Sequence, residues 1–166
     1  MDINISKTND PEQIATVAKL ANEIWPQHFI PIIGDDQVDY MLNKFQSLEA
    51  INEQISSGAE YYLASVDKKA VAYTCLIADK THHKMMISKL YVLLDKRHTG
   101  IGTRLLDFIQ KECNARKLDT IWLTVNRFNH ETIEWYQQKG FTIKDTIKKE
   151  IGGGFFMDDF LMEMKI

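Results

Sequence analysis

Apolar residues along this chain fall first at helical and then at strand spacing. Ile3 and Ile5 alternate with polar neighbours, which predicts a short first strand. Asp10-Pro11-Glu12 reads as a helix start: a capping carboxylate, a proline where the missing N–H does no harm, and an acid in the first turn. Ile14, Val17, Ala18, Ala21 and Ile24 continue on one face, and Pro26, which lacks a donor, is expected to end the helix. Val38, Met41, Leu42 and Phe45 predict a second helix, with Leu48, Ile51 and Ile55 as a short continuation up to Gly58. The stretch between these helices, Trp25-Pro26-Gln27-His28-Phe29-Ile30-Pro31, is too aromatic for a purely solvated loop.

Beyond Gly58 the period falls to two. Residues 61–66 and 71–78, joined by a turn at Asp67-Lys68-Lys69, predict an antiparallel hairpin. Residues 85–94 predict another strand, 102–116 an amphipathic helix with Leu105, Ile109 and Cys113 in line, and 121–125 a buried strand. Residues 129–139 predict a helix closed by Gly140, which suits a left-handed C-terminal cap. Two strands, 141–151 and 155–166, follow across Gly152-Gly153-Gly154, read as a wide hairpin turn in preference to a flexible lid. The order is β-α-α-β-β-β-α-β-α-β-β. The strand–helix–strand unit over 85–125 is expected to be parallel with a right-handed crossover, and the flanking hairpins antiparallel. The expected fold class is α/β, a single-domain mixed sheet with helices on both faces. No repeat, linker or biased segment marks a domain boundary.

Composition narrows the classes. The 166 residues are 45% hydrophobic and 26% charged, an ordinary globular profile. A domain of this length buries about 70% of its unfolded surface, so it needs no disulfide or metal staple. Cys75 and Cys113 stand far apart in apolar runs and read as reduced core thiols. A net charge of −3 argues against binding nucleic acid through its phosphates. The N-terminal stretch has no apolar signal core, and no window approaches the roughly 18 consecutive apolar residues of a membrane span. A cytoplasmic location without membrane attachment is expected. Adjacent His82 and His83 point apart and have no third ligand in reach, so a solvated turn is expected and no metal site.

The informative stretch is Leu90-Tyr91-Val92-Leu93-Leu94-Asp95-Lys96-Arg97-His98-Thr99-Gly100-Ile101-Gly102-Thr103-Arg104-Leu105-Leu106. A strand runs into a glycine-containing turn and then directly into a helix. Helix starts present unpaired N–H groups and a positive dipole end, which favour an anion such as a pyrophosphate. Gly100 and Gly102 let the backbone approach phosphate oxygens, and Lys96, Arg97 and Arg104 add charge. Taken alone, a glycine pair before a helix is more often a tight turn. No Lys-Ser/Thr follows the last glycine, which excludes a P-loop. Leu105 takes the third glycine position of a dinucleotide fingerprint.

The wider pattern carries more. Arg97-His98-Thr99-Gly100-Ile101-Gly102 resembles the Gln/Arg-x-x-Gly-x-Gly/Ala loop of the GNAT acetyltransferase superfamily. Asn129 through Tyr136 to Gly140-Phe141 resembles that family's Asn-x6-Tyr-x3-Gly-Phe segment. The element order is also the family's, so the resemblance covers nearly the whole chain and is strongest from about residue 60 to 142. The closing segment from Gly152 to Met164, with the stretch around Trp25, resembles a bacterial polyamine-acetyltransferase-like branch.

The resemblance implies acetyl-CoA as donor and a primary amine, on a small molecule or peptide, as acceptor. By position, backbone groups of Leu90, Tyr91 and Val92 would hold the pantetheine arm and polarise the thioester. Arg97, His98, Thr99, Gly100, Ile101, Gly102 and Thr103 would cradle the pyrophosphate, Asn129 would bond the pantetheine, and Tyr136 would lie near the sulfur as proton donor. These roles suit the chemistry: attack on a thioester builds charge on the carbonyl oxygen, and the leaving thiolate needs a proton. Without that loop, Tyr136 one turn before a capping glycine would read as core packing. Many relatives place a glutamate on the strand leading into the loop, but Met85-Met86-Ile87-Ser88-Lys89 holds no acid. The base then comes from Glu23, His28 or Asp159, or from ordered water. Trp25, His28, Phe29 and Tyr40, with Glu23, either line an acceptor pocket or pack two helices together. The rival readings are a non-catalytic acyl-CoA-binding or regulatory domain and a plain nucleotide-binding module. Exposed last strands in such a sheet often pair, so a homodimer is a further expectation.

Overall fold

The computed structural model describes residues 2–166. Its elements are β1 (Ile3–Lys7), α1 (Pro11–Ile33), α2 (Asp35–Phe45), α3 (Leu48–Ser56), β2 (Glu60–Val66), β3 (Lys69–Asp79), β4 (Lys84–Val92), a 3-10 turn (Leu94–Lys96), α4 (Ile101–Ala115), β5 (Thr120–Asn126), α5 (His130–Gln138), β6 (Thr142–Gly152) and β7 (Phe155–Lys165). The strand order is β1-β2-β3-β4-β5-β7-β6. This is the mixed sheet that the spacing predicts, with β4 and β5 parallel and the hairpins antiparallel. No spacing announces that β7 returns between β5 and β6, pairing with β5 along the whole of Thr120–Asn126. The chain forms two compact units, one of residues up to Ile77 with Lys89–Ile109, the other of Ala78–Ser88 with Gln110–Ile166.

In the first unit β1 pairs with β2, Ile3 opposite Val66 through Lys7 opposite Tyr62. The β2–β3 hairpin turns on Asp67 and Lys68 alone, both at positive φ (51° and 65°), because Lys69 already pairs with Val66. Ala64, Val66, Val71, Ala72, Ile101 and Leu105 form a buried cluster, joined by Ile3, Ile5, Leu90, Val92 and Leu93. Asp10 caps α1, its Oδ1 accepting from Gln13 N–H at 2.8 Å. Pro26 does not end that helix, which runs through both Pro26 and Pro31 to Ile33. Each proline removes one intrahelical bond, offset where the same turns bury Ile24, Trp25 and Phe29. The expected aromatic loop is therefore helix. α2 and α3 are separate helices, parted at Gln46-Ser47, where Ser47 Oγ accepts from Ala50 N–H at 3.2 Å.

In the second unit the parallel β4–β5 ladder joins Lys84, Met85 and Met86 to Thr120, Ile121 and Trp122. Gly140 at φ +108° follows α5, and a Cβ there would meet Met164 Sδ at 3.3 Å. The β6–β7 hairpin is tight, not wide: Gly152 pairs with Phe155, leaving Gly153 and Gly154 at positive φ (61° and 80°) as its two central residues. Neither Cys75 of the first unit nor Cys113 of the second forms a disulfide; both are buried, and burial pushes the Cys113 thiol up to about 11. Among the described residues no helix is long and apolar enough to cross a membrane.

Candidate active site

The end of β4 is defined by which way its side chains go. Leu90 and Val92 pack onto the buried cluster that holds Ile101 and Leu105 of α4. Alternation turns Tyr91 to the other face, where its ring lies 5.5 Å from Trp25, 5.9 Å from Phe29 and 5.6 Å from Tyr73. The β4–β5 ladder stops at Met86, so residues 87–92 run on past it. The strand closes with Leu93 N–H donating to Val71 O at 2.9 Å, and the 3-10 turn follows.

The next residues form the loop. Thr99 Oγ1 donates to Lys96 O, His98 takes φ +62° and Gly100 φ +89°. Gly100 O accepts from Arg104 N–H at 3.0 Å, which makes it the residue from which α4 springs. α4 has no acid in its first turn, and a Cβ on Gly100 would meet nothing within 4 Å. Ile101 and Leu105 are buried, which fixes the helix start on the sheet, while His98, Thr99, Gly100 and Arg104 are exposed. A rigid helix start with open space before it, no carboxylate in its first turn and Arg97 and Arg104 nearby in sequence fits an anion of pyrophosphate type.

The residues expected at an acceptor site divide. Trp25 and Phe29 are buried, with rings 4.3 Å apart. His28 stacks edge-on against Phe29 at 4.6 Å, half-buried. Tyr40 is half-buried on α2, and Glu23 is exposed.

In the second unit Asn129 precedes α5 and is buried, but its side chain makes no capping bond. Tyr136 is buried against Trp135 and Phe141, at 4.9 and 5.1 Å, and burial raises its phenol above the usual range. Asp159 lies on β7 opposite Asn126 of β5 and Ile147 of β6. It is buried, and loss of solvation pushes its carboxyl up to about 6, opposed by a hydrogen bond with Thr124 and aided by the neighbouring Asp158. Asp158 itself pairs with Arg127 Nε at 3.0 Å. His82 pairs with Asp79 at 2.8 Å in an exposed turn, and among the described residues no cluster of His, Cys, Asp and Glu could hold a metal.

One group escaped the sequence reading. Lys89, 6% exposed, donates from Nζ to Phe45 O, to Tyr61 Oη and, at 2.9 Å, to Gln54 Oε1. Gln54 Nε2 donates to the same Phe45 O at 3.0 Å, and Tyr73 Oη to Gln46 Oε1 at 2.9 Å. The α2–α3 elbow is thus tied to β2, β3 and β4 by buried polar bonds. Desolvation lowers the Lys89 ammonium to about 8. The available signal was parity: Lys89 shares its face with Met85 and Ile87, both core residues.

The Acetyltransferase (GNAT) family model matches residues 17–141. The chain belongs to that family. It is similar to N-alpha-acetyltransferase 50 of Danio rerio, with 33% identity over 89 residues, 52% of this chain and 53% of the relative. The chain thus matches about half the length of that curated relative. Among solved structures it resembles a PaiA N-acetyltransferase of Thermoplasma acidophilum in complex with coenzyme A, at 25% identity and TM-score 0.83, covering 100% of both chains. It shares its fold with a GCN5-related N-acetyltransferase of Rhodopseudomonas palustris, at 17% identity and TM-score 0.84, covering 100% of this chain and 97% of that one.

Proposed function

We propose that this protein transfers an acetyl group from acetyl-CoA directly to a primary amine of a small molecule or peptide. The observation that carries this reading is the loop of residues 97–100 opening into the acid-free first turn of α4, with free space at Gly100. Family membership and the likeness to a coenzyme A complex support the donor. The names of the relatives, N-acetyltransferases both, support an amine acceptor.

Acetyl-CoA supplies an activated acyl group on sulfur. Backbone N–H groups of Arg97 to Thr103 hold its pyrophosphate, helped by the dipole of α4. The backbone of Leu90, Tyr91 and Val92 holds the arm, since the side chains of Leu90 and Val92 are committed to the core. Asn129, whose carboxamide does not cap its own helix, bonds the pantetheine. Tyr136 keeps its proton at neutral pH because burial raises its phenol, and it donates a hydrogen bond to the departing sulfur, with full proton transfer costing more than from a solvated tyrosine. Among Glu23, His28 and Asp159, we take Asp159 as the base: its buried carboxyl, pushed up to about 6, is ionised at neutral pH and is a stronger base than a free carboxylate, suited to accept the proton that the amine nitrogen loses as it attacks the thioester. The half-buried His28 and Tyr40 give α1 and α2 an aromatic side for the acceptor, and the buried Trp25 and Phe29 pack α1 in place.

The test is thermal melting with acetyl-CoA, free CoA and ATP. Ligand at about 100 times its Kd adds about 2.7 kcal/mol, a rise of roughly 5–10 °C. Both CoA forms are expected to raise Tm and ATP is not. Gly100→Trp, which fills the open space, is expected to abolish the rise. An unchanged shift in that variant removes the loop from the donor site. CoA binding with no thiol release for any amine would favour a non-catalytic acyl-CoA-binding domain, the reading kept open by the absence of an acid on β4.

A further inference from the structure

β6 ends the strand order, with β7 on one side and, among the described residues, no strand on the other. Residues 142–146 and 148–150 are exposed, Ile147 is half-buried, and Ile143 exposes 41% of its surface. An open strand of 11 residues offers a row of backbone groups for pairing, which natural edges usually blunt. Here two irregularities against β7, at Ile143/Asp145 and Glu150/Gly152, bound a regular stretch over 145–150.

That stretch is self-complementary about Ile147. An antiparallel copy with Ile147 opposite its twin sets Asp145 against Lys149 and Thr146 against Lys148, with Lys144 facing Glu150 at the end of the stretch. Registers one place away would oppose residues of unlike parity, whose side chains face opposite sides of the sheet, and a two-fold axis normal to the sheet excludes them. Those two places away fail on charge. Centring on Thr146 sets Lys144 against Lys148, and centring on Lys148 sets that lysine against itself.

We propose that a second copy of this chain pairs here, β6 to β6 and antiparallel, centred on Ile147, in a two-fold dimer. The two-fold axis doubles every pair, so one register collects both Asp145–Lys149 contacts while its neighbours meet like charges directly opposite, which destabilise. The irregularities at either end stop the pairing from extending, which keeps the edge closed to longer, unrelated strands.

Sedimentation equilibrium of the full chain tests this. The wild type is expected to dimerise at micromolar concentration. Asp145→Lys, at an exposed position, places lysine against Lys149 and is expected to raise the dimer Kd by about tenfold or more. The double exchange Asp145→Lys with Lys149→Asp restores the opposite charges and is expected to return Kd to near the wild-type value. A monomeric wild type overturns the proposal, as does an undiminished dimer in the single variant or a double variant as weak as the single one.

Discussion

Lys89 holds its ammonium among neutral oxygens: the Phe45 carbonyl, the Gln54 carboxamide and the Tyr61 hydroxyl. Replacing it by methionine removes a buried charge but takes from the Phe45 carbonyl its charged donor. Lys89→Met is therefore expected to lower stability by about 1–3 kcal/mol, read as a fall in the urea midpoint. Asp159 carries the opposite balance. Its folded carboxyl near 6 lies above the ordinary value, so unfolding releases a proton and the fold loses stability as pH rises through the window from about 4 to 6. Asp159→Asn is expected to gain Tm over the wild type across that window and to hold the gain above it, while kcat falls if the carboxylate is the base. A variant that is stabilised yet fully active would leave Asp159 a structural acid. Parity makes the burial of Lys89 legible in the sequence, but not its partners, which lie 28 to 44 residues away along the chain. Burial of Asp159 was hidden because β7 reads as an ordinary alternating strand until its neighbours on both sides are known.

The turns and helix ends follow local chemistry. Asp10 caps α1, Gly140 takes the left-handed position after α5, and the loop before α4 is set by residues within a few places of one another. Local rules misjudged α1, because a proline's missing bond is a local loss whereas the burial of Trp25 and Phe29 that offsets it is tertiary. The β2–β3 turn shows a local loss that was kept. Asp67 and Lys68 both sit at positive φ, the pair of conformations that two-residue hairpins prefer to fill with asparagine and glycine. Lys68→Gly is expected to raise stability by roughly 1 kcal/mol, or about 2–4 °C in Tm at this size. An unchanged or lower Tm would mean that the Lys68 side chain makes a compensating contact.

For the molecule as a whole, the order of strands in the chain and their order in the sheet differ at one place, and that place was the least legible. Alternation predicts that β6 and β7 pair with each other, but says nothing of which one lies beside β5. The answer is β7, in register from Thr120 opposite Lys165 to Asn126 opposite Asp159. On the ribosome, β5 therefore emerges long before the strand that will flank it, and β7 is the last of the seven to appear. Until then β5 has only three ladder pairs to β4, and an apolar strand lies open on one side. A nonsense mutation anywhere in β7 would leave that strand open for good, turning the truncated chain into a substrate for chaperones and proteases rather than a shortened but folded protein.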